Sequence, residues 1–150
     1  MDIPGLTFGP ISRSMVWMMP SFGEQLQATT TDANLLVLFI PSADRDGNPL
    51  GKKEQKWWVR KALQLLGQKF TGATAFPRGW GIWRDDARGG RLVWDKPVLI
   101  QCFTNETALR ENTPALREFL VELGSNTNQG AVACVLDKTM YQIKFAPQGD

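Results

Sequence analysis

The chain has 150 residues, 43% of them hydrophobic and 21% charged, with a net charge of +2. This composition fits one folded domain with its own core, and it excludes a disordered chain or a strongly basic surface of the nucleic-acid-binding kind. The complete absence of histidine excludes His-dependent triads and His-based zinc sites.

The two cysteines, Cys102 and Cys134, sit in strand-like apolar runs and read as buried free thiols of a reducing compartment. No basic segment followed by an apolar core opens the chain, and the longest apolar run, Leu35 to Ile40, is too short to span a bilayer. A cytoplasmic protein with no membrane partner is expected.

Residues 1–33 hold Pro4, Pro10 and Pro20 among Leu6, Phe8, Ile11 and the run Met15 to Met19, with no sustained period. They read as an extended apolar arm that covers something, on this chain or on a partner. The domain proper is expected over residues 34–150. It opens with Asn34 to Ile40, a strand buried on both faces and ended by Pro41. The loop that follows alternates Asp44, Asp46 and Asn48, but the sixth and twelfth positions of a calcium loop hold Pro49 and Gln55, so a plain surface loop is expected and no metal site.

Lys53 to Phe70 carries Trp58, Ala62, Leu66 and Phe70 at helical spacing, with Trp57 off that face as a possible partner anchor. Next comes a bent hairpin whose arms are Gly72 to Trp83 and Arg91 to Trp94, followed after Pro97 by a strand over Val98 to Phe103. Thr113 and Pro114 mark the start of a second helix, with a helical turn preceding it at Glu106 to Glu111, and Gly124 marks the stop. Strands at Ala131 to Leu136 and Met140 to Phe145 close the chain.

The order predicts an α+β ferredoxin-like sandwich, β-α-β-β-α-β plus a C-terminal strand, with two helices on one face of an antiparallel sheet. Leu35, Val37 and Phe39 are as apolar as Leu36, Leu38 and Ile40, so the face away from the helices also needs a cover. A homodimer is favoured for that role, with the arm contributing. The segments KFTGATAFPRGWGIWRDD and ELGSNTNQGAVACVLD resemble a family of small uncharacterised bacterial proteins with a ferredoxin-like core, a resemblance that implies no catalytic residues.

Arg78, Trp80, Trp83 and Arg84 form the sharpest candidate site, a cationic aromatic rim for a small anionic ligand, and Gln129 is a candidate at the entry to a buried strand. Asp85 and Asp86 are adjacent on a turn and do not form a metal or acid-base pair by themselves. The function expected is a noncatalytic, homodimeric binding module without a cofactor, with nucleic acid not among its partners. Two alternatives stand beside it. One is a small histidine-free enzyme of the dimeric α/β-barrel type, its cavity between sheet and helices and built from Asp, Arg, Tyr141 or Gln129. The other is a structural component docking through its N-terminal arm into a larger assembly, of phage or conjugative origin.

Overall fold

The computed structural model describes residues 19–30 and 32–147. The chain divides into two units, Met1–Thr31 and Asp32–Asp150. In the first, α1 (Phe22–Leu26) is capped reciprocally: Ser21 Oγ accepts from Glu24 N at 3.3 Å, and Glu24 Oε2 accepts from Ser21 N at 2.6 Å. The extended arm expected over 1–33 thus contains one helical turn, too short to register as a period. Its apolar positions from Leu6 to Met18 lie outside the described residues.

In the second unit, β1 (Asn34–Ile40) leads into α2 (Lys52–Phe70), β2 (Thr74–Phe76), β3 (Gly81–Asp85), β4 (Arg91–Asp95) and β5 (Val98–Thr104). Then follow α3 (Glu106–Asn126), β6 (Ala131–Leu136) and β7 (Thr139–Lys144). The sheet is antiparallel throughout, in the order β2-β5-β1-β6-β7, and β3 and β4 form a separate two-stranded ribbon.

Strand alternation sorts the side chains. Leu36, Leu38 and Ile40 of β1 and Ile100 and Cys102 of β5 are buried under the helices, against Trp58, Leu66, Phe70, Phe119 and Leu123. Each such large side chain contributes about 1.5 to 3 kcal/mol on burial. On the opposite face, Leu35, Val37 and Phe39 are only half-buried, while Phe76, Phe103 and Met140 are exposed. That face is apolar, as its sequence requires, and the ribbon covers one end of it.

The bent hairpin was expected to complete the sheet. Instead β2 and β5 pair with each other in the sheet, and the ribbon stands apart from it between Pro77 and Pro97. Proline has no N–H for a ladder, so the pairing stops there, and Gly79 N donates to Pro97 O at 2.8 Å to close the neck of the ribbon.

The second helix is a single element from Glu106. Asn105 is its N-cap, with Oδ1 accepting from Ala108 N at 2.9 Å, and Pro114 lies inside it. Thr113, read as a cap, donates Oγ1–H to Leu109 O at 2.5 Å from within the helix. Gly124 is not a stop either. The ring of Phe145 lies where a Cβ at Gly124 would be, 2.2 Å from that position, so the glycine admits the aromatic side chain.

Candidate functional site

The ribbon has two unlike faces. Trp83, Asp85 and Val93 turn toward the sheet and are partly buried, whereas Ile82, Arg84, Leu92 and Trp94 turn outward and are exposed. Trp83 meets Phe39 of β1 edge-on, with ring centroids 6.2 Å apart and an interplanar angle of 87°. Between the inward face of the ribbon and the open sheet face lies a cavity of about 430 Å³. Its size is that of a small-molecule site.

Several polar links hold the walls in place. Asp95, at the end of β4, accepts from Ser42 N at 2.8 Å and Ser42 Oγ at 2.7 Å, and Ser42 Oγ accepts in turn from Lys96 N at 2.8 Å. The buried Gln55 of α2 donates Nε2–H bonds to Ile40 O at 3.2 Å and Lys96 O at 3.1 Å, fastening the helix to both segments. On the far wall Arg45 lies over Gly130, where a Cβ would be 3.5 Å from its guanidinium, and donates to Ala146 O at 3.0 Å.

The cavity holds charges of both signs beside an aromatic wall. Asp44, Asp85, Asp86 and Asp95 line it together with Arg45, Arg84 and Lys144. The Arg84 guanidinium, 2.6 Å from Asp86, holds that carboxyl below the usual carboxylate range, with Lys144 acting in the same direction. Asp44 is occupied locally: its Oδ1 accepts from Asp46 N at 2.8 Å and Asn48 N at 2.9 Å. The alternation that resembled a calcium loop therefore builds a self-capped turn, and among the described residues no three His, Cys, Asp or Glu side chains group around a metal position. Asp85 is the freer carboxylate, its contact with Arg88 Nε being 3.7 Å long.

The structure divides the five residues singled out in the sequence. Trp83, Arg84 and Gln129 line the main cavity, while Arg78 and Trp80 line a second, open groove with Trp94 and Lys96. Gln129 Nε2 donates to Ala43 O at 2.9 Å and Thr127 O at 3.1 Å, so its amide braces the loop beside the cavity. Sequence reasoning passed over Phe39, Arg45 and Lys144. Only the odd-numbered face of β1 signalled Phe39 and the even-numbered face of β7 Lys144, and that signal has no meaning until the ribbon is known to fold over this side; Arg45, in the loop after β1, carried no signal. The space between sheet and helices, where a histidine-free enzyme was expected to hold its cavity, is filled by core side chains. Tyr141 is exposed on β7, opposite Cys134 and away from the cavity face.

No protein-family profile matches the chain, and no curated protein matches it. Solved structures do. The chain is similar to a phage SAM lyase in complex with S-methyl-5′-thioadenosine, with a TM-score of 0.58 and 17% identity over 77% of this chain and 92% of that one. It is also similar to a phage SAM lyase in the apo state, with a TM-score of 0.55 and 13% identity over 79% of this chain and 94% of that one. These likenesses establish a shared α+β fold with an antiparallel sheet and helices. They also overturn the noncatalytic binding module expected from the sequence, because the solved structures that share the architecture are of an enzyme. Among the described residues no helix is long and apolar enough to cross a membrane.

Proposed function

We propose that the chain is an enzyme acting on S-adenosylmethionine, releasing S-methyl-5′-thioadenosine from the cavity between the ribbon and the open sheet face. The observation that carries this reading is the likeness to phage SAM lyase over nearly the whole of that enzyme's length. The cavity supports it by its chemistry. S-Adenosylmethionine brings an adenine ring, a sulfonium, an ammonium and a carboxylate, and the cavity offers the Trp83 indole, the Asp85 carboxylate, and the cations Arg45 and Lys144.

The reaction class suits a site without histidine. Loss of S-methyl-5′-thioadenosine breaks the bond between sulfur and Cγ of the amino-acid part, and the electron pair goes to sulfur, which leaves as a neutral thioether. If the substrate's own carboxylate closes on Cγ, an O–Cγ bond forms, a lactone results and no proton moves. The protein then has only to bend the substrate and exclude water. Asp85 is the residue to hold the substrate ammonium, and Trp83 the ring to lie against the adenine or the sulfonium.

The strand order β2-β5-β1-β6, with a helix after β1 and another after β5, supports assigning the core to the ferredoxin-like arrangement, with β3–β4 as an insertion and β7 as an added edge. The exposed Phe76, Phe103 and Met140 support a second copy of the chain as cover for the rest of the open face. Light scattering at micromolar concentration tests that cover, and a monomeric mass overturns it.

The test of the function is incubation of the purified full chain with S-adenosylmethionine, with the products followed by liquid chromatography and mass spectrometry. Appearance of S-methyl-5′-thioadenosine, abolished or reduced in Trp83→Ala and Asp85→Asn, supports the proposal. An intact substrate after prolonged incubation, together with no thermal shift on adding S-methyl-5′-thioadenosine, overturns it.

A further inference from the structure

The outward side of the ribbon and its neck carry features that the main cavity does not use. Trp80 and Trp94 are 80% and 64% exposed, high values for so large an aromatic side chain. Together with Arg78, Lys52 and Lys96 they border an open groove of about 440 Å³. Lys96 Nζ already stands 4.8 Å from the centre of the Trp80 ring. Among the described residues none of these three cations is in an ion pair, and Asp95, the one carboxylate on the groove, is engaged by Ser42.

The groove is also fixed in shape. Lys96 is held at its N–H by Ser42 and at its carbonyl by Gln55, and Gly79, beside Trp80, is bonded to Pro97. The rim includes Lys52, the first residue of α2, whose N-cap Gly51 supplies no side chain to the helix amides, so the positive end of the helix adds to the three cations. The side chains therefore present flat indoles with unpaired positive charge at their edges, on an open surface without buried donors to select one small molecule.

From this arrangement we infer that the groove bordered by Trp80, Trp94, Lys52, Arg78 and Lys96 is a binding surface for single-stranded nucleic acid, with bases stacked on the two indoles and phosphates against the three cations. Aromatic platforms with a cationic border bind single strands without regard to sequence. An acidic peptide satisfies the cations but leaves the indole faces wet, and a lone nucleotide engages only part of the groove. The balanced net charge of the chain had argued against nucleic acid, yet the fold gathers Lys52, Arg78 and Lys96 on one groove with Asp95 as the one carboxylate among its lining residues. This surface adjoins the cavity assigned to S-adenosylmethionine, sharing Ala43 and Asp95 with it, but its two indoles and three cations do not line that cavity, and its existence does not depend on that assignment.

The test is fluorescence anisotropy of a labelled oligo(dT) titrated with the full chain at low and at physiological salt. Binding is expected to weaken about five-fold or more in each of Trp80→Ala and Trp94→Ala, the loss associated with one stacked base. The logarithm of affinity should fall with the logarithm of salt at a slope of about −2 for three phosphate contacts, and the slope should become shallower in Lys96→Gln. Both indoles are exposed, so these variants keep the fold, which circular dichroism checks. The inference is overturned if an abasic strand or polyglutamate binds as tightly as oligo(dT), if thymidine monophosphate competes at equal affinity, or if both tryptophan variants bind like the parent chain.

Discussion

Trp83 of the ribbon meets Phe39 of the central strand at a right angle, and this contact joins the two walls of the cavity. An aromatic pair of this geometry contributes about 0.5 to 1.5 kcal/mol beyond the area it buries. Trp83→Ala should therefore leave the sheet folded but loosen the ribbon and lower kcat/KM for the proposed cleavage of S-adenosylmethionine about ten-fold or more, with Trp83→Phe recovering part of the loss. Steady-state kinetics alongside far-UV circular dichroism measures both. Wild-type kinetics in Trp83→Ala would remove this residue from the site.

Gly124 and Phe145 give a second prediction, on stability. The Phe145 ring occupies the position a Cβ would take at Gly124. Gly124→Ala should destabilise the fold by about 1 to 3 kcal/mol through overpacking, although alanine is the better helix former. In the background of Phe145→Ala the same substitution should cost much less, because the ring it strikes is gone. Urea denaturation of the two single variants and the double variant yields the coupling; additive losses would contradict the contact.

Gln55 is buried and its amide bridges Ile40 O and Lys96 O. Replacing it by alanine strands polar backbone groups away from water, at about 1 to 3 kcal/mol. Gln55→Ala should lower the urea midpoint and also weaken substrate binding, since the same side chain fixes the junction between β4 and β5 under the ribbon. Loss of stability without any change in KM would limit its part to folding.

The pH dependence has a definite sign on the alkaline side. Burial, with the Asp32 charge adding to it, pushes the Cys102 thiol up to about 11 from the ordinary 9.0, and burial also raises Cys134. Above about pH 9 the unfolded chain gives up a thiol proton that the folded chain keeps, so stability is complete below that pH and declines as pH climbs toward 11. Urea midpoints at about pH 8 and about pH 10 should show the decline, reduced in Cys102→Ala relative to its own value at the lower pH. Native Cys102 should react slowly with thiol reagents at neutral pH.

Much of the architecture is legible in the residues, and the departures have local physical causes. Asn34 to Ile40 and Ala131 to Leu136 read as strands because they are short, apolar and bounded by turn formers, and both stand in the sheet as expected. Thr113-Pro114 and Gly124 carry the marks of helix ends, yet Asn105 caps the helix earlier, and Gly124 is a packing glycine whose partner lies in the chain's last segment. The site was only half legible. Trp83 and Arg84 stand out by composition, but Trp83 turns inward by strand alternation in a ribbon whose orientation the sequence does not state, and Arg78 and Trp80, which precede the ribbon's first strand, border the other groove. Phe39 and Lys144 belong to the cavity solely because the ribbon folds over the side of the sheet away from the helices.

The prolines at the neck of the ribbon have a further consequence. Because Pro77 and Pro97 end the ladder on both sides, residues can be added or removed at the tip from Asp86 to Gly90 without shifting any pairing between β1, β5 and β6. Cavity depth and sheet register are thereby independent variables of this fold. Length variation among relatives should collect at that tip, where it changes what fits beneath the ribbon and leaves the scaffold alone.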